Sequence, residues 1–209
     1  MSRATLESAV VPTKQRILAT AEEVFAEKGF DGASTREIAA RAGVNISSLH
    51  YHWESKAQLY VAVFRDIYDR LVTLVRSVGR TTSRKGPESD VVEEAMGRLF
   101  DFFCDHPTVP KLLVRRFLEE DGPDVEIERE VFLPAWKVFS EWTRHYRRSP
   151  LDENQSTLFM LTVHSVMLLF LLDSREFRQL LGGSVRKPPT RERVRRHVVA
   201  VVRKLLEIT

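Results

Sequence analysis

A short stretch of the sequence carries an unusual concentration of hydroxyl, imidazole and phenol groups. Within residues 46–53 (ISSLHYHW), Leu49 and Trp53 are four positions apart, so they fall on one face of a helix. The other faces carry Ile46, Ser47, Ser48, His50, Tyr51 and His52. Hydroxyl, imidazole and phenol groups can donate and accept hydrogen bonds. The pattern therefore predicts a short helix that is anchored on one side and contacts a polar partner on the others.

The residues that precede this helix predict a second helix and a tight turn. Ser34, with Glu37 three residues later, has the capping-box pattern of a helix start. Gly43 favours the left-handed conformation that ends a helix, and Asn45 is a good N-cap for the helix that follows. We therefore predict a helix-turn-helix whose second helix is the polar one.

Further helices are predicted on both sides of this motif. Apolar residues recur at helical spacing between Thr13 and Gly29, and again from Ser55 to Val78, where one long helix can belong to two domains. The polar stretch Gly79–Asp90 predicts a linker. Later helical patterns cover about residues 90–105, 108–119, 124–147, 152–173 and 190–208. The predicted fold is all-α, with an N-terminal three-helix helix-turn-helix domain (residues 1–58) joined by the long helix to a larger helical domain (residues 59–209).

Two helical stretches near the C-terminus are predicted to form a subunit interface. The stretch at 152–173 is apolar on nearly every side, which predicts burial all round, and the final stretch has a wide apolar stripe. Because they carry more apolar surface than one core needs, we predict a homodimer. The interface residues would be Phe159, Val163, Met167, Val194, Val198, Val201, Val202 and Leu205. The alternative, in which both stretches complete the core of a monomer, stays open.

Aromatic side chains in the larger domain predict a cavity for a small molecule. Trp136, Phe139 and Trp142 recur at helical spacing, and Phe103 and His164 lie on other predicted helices. A stripe of this kind is more often ordinary core, and a histidine on an apolar helix is more often a hydrogen-bonded core residue. The sequence therefore leaves a ligand cavity and a closed core as alternatives.

Composition and charge narrow the class of protein. The formal net charge of the 209 residues is +3, and residues 1–60 contain seven Lys/Arg and seven Asp/Glu. Nucleic-acid binding there would depend on the placement of a few cations. The single Cys104 suits a reducing compartment, and the N-terminal residues lack the apolar core of a signal peptide. The apolar run at 158–172 is shorter than the roughly twenty residues of a membrane span, so we predict a cytoplasmic protein without a membrane partner.

Enzymatic activity is the least favoured alternative. His50 and His52 are two residues apart, so on a helix they point about 200° apart and cannot share a metal ion. The sequence contains neither a phosphate-binding glycine loop nor a dinucleotide fingerprint. We predict no catalytic residue, metal or cofactor.

The order of these features resembles the N-terminal domain of the TetR family of bacterial transcriptional regulators. The resemblance covers residues 13–64: a helix, then Gly-Phe, Ser-Thr-Arg-Glu-Ile-Ala, Ala-Gly-Val, Leu-x-x-x-Trp and Ser-Lys. It implies a homodimer that binds a palindromic operator in double-stranded DNA, with a C-terminal domain that dimerises and binds a small, largely apolar effector. A ligand-responsive repressor is thus the leading hypothesis. The alternative is a DNA-binding regulator controlled by a partner protein. The effector, the operator, the regulated genes and the sign of control cannot be read from the sequence.

The resemblance also assigns roles to individual residues. The predicted DNA-contacting set is Ser34, Thr35, Arg36, Ile46, Ser47, Ser48, His50, Tyr51, His52 and Lys56. Within it, Ser34 and Thr35 would cap the first motif helix near a phosphate, and Lys56 would pair with another. His50 and Trp53 stand where the family commonly has Tyr and Phe, and Tyr51 is a candidate to replace the tyrosine contact.

Overall fold

The computed structural model describes residues 12–82, 88–118, 123–145 and 152–208, and these ranges form helices and turns without a β-strand. The helices are α1 (Thr13–Gly32), α2 (Thr35–Arg41), α3 (Ile46–His52), α4 (Lys56–Thr82), α5 (Glu88–Asp105), α6 (Thr108–Leu118), α7 (Asp124–Ile127), α8 (Leu133–His145), α9 (Glu153–Leu171), α10 (Arg175–Leu180) and α11 (Thr190–Ile208), with a π-helical turn at Glu128–Phe132 between α7 and α8. The predicted all-α class is confirmed. The short helix α10 was not predicted.

Helices α1, α2 and α3 form a three-helix unit around a small apolar core. Ile17, Phe25, Ile38 and Leu49 are completely buried, and Trp53 closes the core at the end of α3. Burial of each large apolar side chain contributes roughly 1.5–3 kcal/mol. Since α2 and α3 have only seven residues each, this shared core, and not intrinsic helix propensity, holds them in place.

Local hydrogen bonds fix the start of α2 and the start of α3, and a glycine lies in the turn between them. The Ser34 hydroxyl accepts from the backbone N–H of Glu37 at 3.2 Å, and the Asn45 side chain accepts from the N–H of Ser48 at 2.7 Å. Gly43 has φ of +65°, a conformation that is least costly for glycine. Only half of the capping box at Ser34 forms, because the Glu37 carboxylate pairs with Lys28 instead of returning to the cap.

Helix α4 connects the three-helix unit to the rest of the molecule. Its 27 residues make it about 40 Å long at 1.5 Å per residue. Leu59, Ile67, Leu71 and Val78 are buried along its length, against α1 at one end and against α5 and α8 further on. One hydrophobic core therefore continues through both predicted domains.

The predicted linker at Gly79–Asp90 is wrong at both of its ends. Helix α4 continues through Thr82, and α5 begins at Glu88, while residues 83–87 lie outside the described part of the chain. The polar composition of these positions indicated a loop, but polar residues are equally compatible with a helix end. The helical pattern predicted at 124–147 is divided in the structure by the π-helical turn.

Helix α9 is not buried on all sides, although its composition predicted burial all round. Phe159, Val163, Met167, Leu168 and Leu171 pack into the core. On the opposite side Leu158, Leu161 and Leu169 are 65%, 47% and 55% exposed. By length and composition alone α9 resembles a membrane span, and it is the one described helix that does so. Its inward face nevertheless belongs to the helical core. Its outward face is apolar and exposed, and it plays no part in that core.

The predicted dimer interface also requires correction. Most of its residues are buried within a single protomer, each at most 8% exposed: Phe159, Val163, Met167, Val194, Val198 and Val202. Val201 and Leu205 are half-buried. The apolar stripe of α11 faces α5 and α9 of its own chain, because that stripe is what closes the protomer's core. These six side chains therefore cannot form an interface between subunits.

A polar junction joins α1 to α4 and α6. The Glu22 carboxylate accepts from Thr108 Oγ1 at 2.5 Å and from Arg70 Nη2 at 2.5 Å, and its side chain is only 13% exposed. Arg70 also pairs with Asp66 at 2.8 Å and lies over the Phe102 ring. Because a poorly hydrated carboxylate depends on its donors, this junction constrains α1 relative to α6.

Replacing Glu22 by Gln should weaken this junction. The amide keeps the shape of the side chain but loses the charge that binds Arg70, which should lower the free energy of unfolding by about 1–3 kcal/mol. Urea denaturation of Glu22→Gln measures this. Glu23→Gln, a change at an exposed neighbouring position, is the control and should lie within about 0.5 kcal/mol of the wild type. Equal urea midpoints for both variants would contradict the assigned role of the junction.

Candidate nucleic-acid interface

The outward face of α3 is polar and open to solvent. Ser47, His50 and Tyr51, spaced at i, i+3 and i+4, are all exposed, and the Tyr51 side chain is 86% exposed. Leu49 and Trp53 point the opposite way, into the core. An exposed tyrosine beside a hydroxyl and an imidazole gives this face both stacking and hydrogen-bonding capacity.

Residues on the flanks of α3 make contacts within the protein itself. Ile46 is half-buried against the core, and the N–H of Ser48 is used by the Asn45 cap. The His52 ring lies between the rings of Tyr51 and Trp53, with centroids 5.2 and 5.6 Å away. These three predicted contact residues therefore border the outward face instead of forming its centre.

Helix α2 presents one cation, Arg36, for which the described part of the chain provides no partner. Ser34 is the N-cap and Thr35 is half-buried, whereas Arg36 is exposed. Within the described ranges no carboxylate or carbonyl pairs with Arg36, while Arg41 on the same helix pairs with Glu27 and Glu37 at 2.8 Å each. The guanidinium of Arg36 is thus available to an external anion.

Lys56 points into the protein. Its Nζ donates to the carbonyl oxygens of Phe30 at 2.7 Å and Ala33 at 3.2 Å, and it lies 4.3 Å from the centroid of the Phe30 ring. An ammonium group has three N–H donors, so one remains for a phosphate. The predicted phosphate contact of Lys56 stays a prediction, and its substitution would also disturb the junction between α1 and α2.

Two basic residues of α1 also lie at the motif, and sequence reasoning missed both. Lys14 is 5.8 Å from the centroid of the Trp53 ring, and Arg16 donates to the Gly43 carbonyl oxygen at 3.3 Å. Both contacts join residues that are distant in the chain, so no local sequence pattern indicated them. Lys14 adds a second cation beside α3 for which the described residues provide no carboxylate partner.

Residues 175–209 contain ten Lys/Arg and three Asp/Glu and so form a basic C-terminal segment, in which several cations are held in internal ion pairs. Arg191 binds Asp101 at 2.9 Å and Asp105 at 2.6 Å, and Arg195 binds Asp101 at 3.0 Å. The hydrogen bond from Arg191 lowers the pKa of Asp105. Arg203 pairs with Glu93 in the same way. These contacts attach α11 to α5 and argue against a second anion-binding surface there.

The structure offers little for catalytic chemistry. In the described part of the chain, no group of three or more His, Cys, Asp or Glu residues is placed to hold a metal ion. Cys104 is buried, its thiol donates to the Val185 carbonyl oxygen at 3.4 Å, and burial raises its pKa to about 11. A thiol of this kind is a poor nucleophile.

A capped helix α2, a tight turn and a second helix with a polar outward face define a helix-turn-helix domain of the kind that binds DNA. Residues 17–63 match the family model described as bacterial regulatory proteins, tetR family. Residues 17–63 of this chain therefore match the N-terminal domain of TetR-family regulators, and the resemblance noted in the sequence is confirmed.

Curated relatives are helix-turn-helix transcriptional regulators. The activator FasR of Mycolicibacterium smegmatis is 40% identical over 87 residues, which is 42% of this chain and 38% of FasR. CymR of Pseudomonas putida is 29% identical over 49% of each chain. The probable regulator YttP of Bacillus subtilis is 28% identical over 85% of this chain and 86% of its own length. The matches to FasR and CymR thus span less than half of each relative.

Solved structures share the fold over nearly the whole chain. The fatty acid degradation regulator FadR of Bacillus halodurans has a TM-score of 0.69 at 15% identity, with 92% of this chain and 97% of that chain covered. A transcriptional regulator from Rhodococcus sp. Rha1 has a TM-score of 0.68 at 21% identity, with 93% and 96% covered. FadR of Bacillus subtilis, solved with stearoyl-CoA, has a TM-score of 0.62 at 12% identity, with 93% and 96% covered. At these identities the similarity establishes the fold alone.

Removal of the Arg36 guanidinium should weaken DNA binding. Because the first helix of such a motif crosses the DNA backbone, we expect Arg36→Ala to lower affinity for all duplexes and to reduce the slope of log K against log salt by about 0.9 per lost phosphate contact. The measurement is a salt titration by fluorescence anisotropy, on a duplex selected by the wild type from a random pool and on an unrelated duplex.

The matched control is Arg98→Ala, which removes the same charge from an exposed position on α5, where Arg98 pairs only with Glu94 among the described residues. It should leave affinity and slope close to wild type. A loss confined to the selected duplex would assign Arg36 to a base instead, and unchanged binding to both duplexes would remove it from the interface.

Proposed function

We propose that this protein is a ligand-responsive transcriptional repressor that acts in the cytoplasm as a homodimer on a palindromic operator. The observation that carries the proposal is the connection, through one continuous hydrophobic core, between the exposed polar face of α3 and an apolar cavity in the larger domain. A small molecule in that cavity would act on DNA binding through α4 and the Glu22 junction.

DNA recognition is assigned to α3. A helix fits the major groove of B-DNA, where base edges carry a distinct pattern of donors and acceptors. Ser47, His50 and Tyr51 would face the groove, with Arg36 and Lys14 near the phosphates on either side. Phosphate contacts supply attraction to any duplex, and the α3 side chains supply discrimination between sequences.

Dimerisation is assigned to the outward face of α9. Leu158, Leu161 and Leu169 lie along one side of this helix, and the outward side of α11 is adjacent, since the Phe170 and His197 rings meet at 6.2 Å. A second copy of the same face would bury these leucines. Two α3 helices must reach major grooves about 34 Å apart, one turn of B-DNA, so a fixed two-fold interface sets the spacing of the half-sites.

Effector binding is assigned to the cavity bounded by α4, α5, α8 and α9. All five residues predicted from the sequence, Phe103, Trp136, Phe139, Trp142 and His164, line it. The cavity has a volume of about 70 Å³, room for a few water molecules. A larger molecule must therefore displace lining side chains, and this displacement is the means by which it can act on the helices around it.

Coupling between the two sites requires only a modest energy. A ligand acts through its differential affinity for two dimer geometries. A tenfold loss of operator affinity corresponds to about 1.4 kcal/mol, within the usual range of about 1–3 kcal/mol for allosteric coupling. The route from the cavity to α3 passes along α4, whose Tyr68 and Leu71 line the cavity and whose Arg70 holds Glu22 of α1.

An activator is the second candidate. FasR, which is 40% identical to this chain over 87 residues, is named as an activator. The sign of control depends on where the operator lies relative to a promoter, not on the fold of the DNA-binding domain. A reporter gene placed behind the native upstream region, with and without this protein, decides between repression and activation.

The proposed interface predicts a monomer when α9 is charged. Leu161→Glu should shift the protein from dimer to monomer in sedimentation at micromolar concentration, because a carboxylate would be forced into the apolar contact. Operator affinity should fall with it. Leu180→Glu makes the same change at an 82% exposed position on α10 and should remain a dimer. A wild-type protein that sediments as a monomer would contradict the homodimer.

Reciprocity tests the effector hypothesis. A compound found by thermal shift stabilises the native state through binding, and calorimetry can then measure its affinity with and without saturating operator DNA. If the compound weakens operator binding by some factor, the operator must weaken compound binding by the same factor. Equal compound affinities in the two titrations would mean that the cavity is not coupled to DNA binding.

A further inference from the structure

In the wall of the apolar cavity, two polar atoms have no hydrogen-bond partner among the residues that the structure describes. The Tyr68 hydroxyl is buried without a partner, and so is Nε2 of His164. The Tyr68 side chain is only 4% exposed. A buried polar group without a partner destabilises the folded state, so such groups are rare in native proteins unless a function retains them.

The two atoms are joined by a continuous aromatic wall. The Tyr68 ring meets Phe132 at 6.1 Å, Phe132 meets Trp136 at 5.5 Å, and Trp136 meets His164 at 6.5 Å, measured between ring centroids. All four rings line the same cavity. The unpartnered donor and the unpartnered nitrogen therefore belong to one site and not to separate defects in packing.

The wall of this site can also adapt in shape. The sequence contains four methionines, and all of them except Met1 line the cavity: Met96, Met160 and Met167. Methionine is flexible and polarisable, so it accommodates ligands of different outline at low cost. Phe132, the last residue of the π-helical turn, also lines the cavity. Such turns are frequent at functional sites.

We infer that the effector is a neutral molecule with an apolar, aromatic-sized body and one hydrogen-bonding group, which is held by the Tyr68 hydroxyl and His164 Nε2. This inference rests on the proposed function, because it names the chemical class of the ligand for that same cavity. A hydroxyl group on a ligand can accept from the Tyr68 O–H and can donate to a ring nitrogen of His164.

A charged ligand fits this site poorly. Among the described residues, no Lys, Arg, Asp or Glu lines the cavity. Burial lowers the pKa of His164 to about 4, so the imidazole is neutral at pH 7 and supplies no charge. Burial also raises the pKa of Tyr68, which keeps its hydroxyl protonated as a donor. The Arg116 guanidinium lies 5.3 Å from the centroid of the Phe132 ring but does not itself line the cavity. A carboxylate or a nucleotide in the cavity would therefore lose its hydration without direct contact with a lining counterion.

A matched series of compounds tests the inference on the full-length protein. 4-Propylphenol, propylbenzene and 4-propylbenzoate share one body and differ in one group. Calorimetry should give an affinity for 4-propylphenol roughly five- to tenfold above that for propylbenzene, the value of one net hydrogen bond, and weaker binding of 4-propylbenzoate.

Tyr68→Phe should remove the advantage of the phenol and leave propylbenzene binding unchanged. Because the hydroxyl has no partner within the fold, the unliganded variant should be as stable as the wild type or more so, whereas loss of a structural hydrogen bond would lower its melting temperature. Tyr60→Phe, the same change on α4 at a residue outside the cavity, should keep the phenol advantage. His164→Phe keeps a ring against Trp136 and should reduce the advantage.

Three results would overturn the inference: equal affinity of 4-propylphenol and propylbenzene, tighter binding of 4-propylbenzoate, or no binding of any neutral compound at its solubility limit. None of these affects the proposed repressor, which depends on the separate measurements of operator binding and oligomeric state. Conversely, selective phenol binding to a protein that ignores operator DNA would support the ligand class and contradict the repressor.

Discussion

The burial of one side of α4 between Leu59 and Val78 is the interaction on which the rest of the structure depends. From Leu59 to Val78 the same helix supplies core residues first to the three-helix unit and then to the larger domain. Neither end can shift without disturbing a core packed at the density of an organic crystal. The Glu22 junction adds a polar constraint at the boundary, because it ties α1 to both α4 and α6.

The parts of this structure that were predictable are those fixed by neighbouring residues. The caps at Ser34 and Asn45, the turn at Gly43 and the inward positions of Leu49 and Trp53 follow from side chains within a few positions of one another. The aromatic lining of the cavity was predicted from helical spacing, and the predicted residues do meet around one space.

The parts that were not predictable depend on which elements meet. Composition indicated that α9 and α11 are apolar, but it could not divide their residues between the protomer's core and its outer face, so the expected interface residues are mostly core. The inward turn of Lys56 depends on the carbonyl oxygens of Phe30 and Ala33, more than twenty positions away. Likewise, the pairing of the basic C-terminal segment with α5 joins residues about ninety positions apart.

The brevity of α3 has a consequence for how DNA recognition responds to stress. A seven-residue helix does not persist alone in water, so α3 exists only as long as Leu49 and Trp53 remain in the core. The conformational entropy of α3 is lost during folding, so this loss does not oppose association with DNA. The outward face of α3 is therefore ordered before it enters a DNA groove. It should lose its order together with the core in a single cooperative transition, leaving no partly folded form that binds DNA loosely.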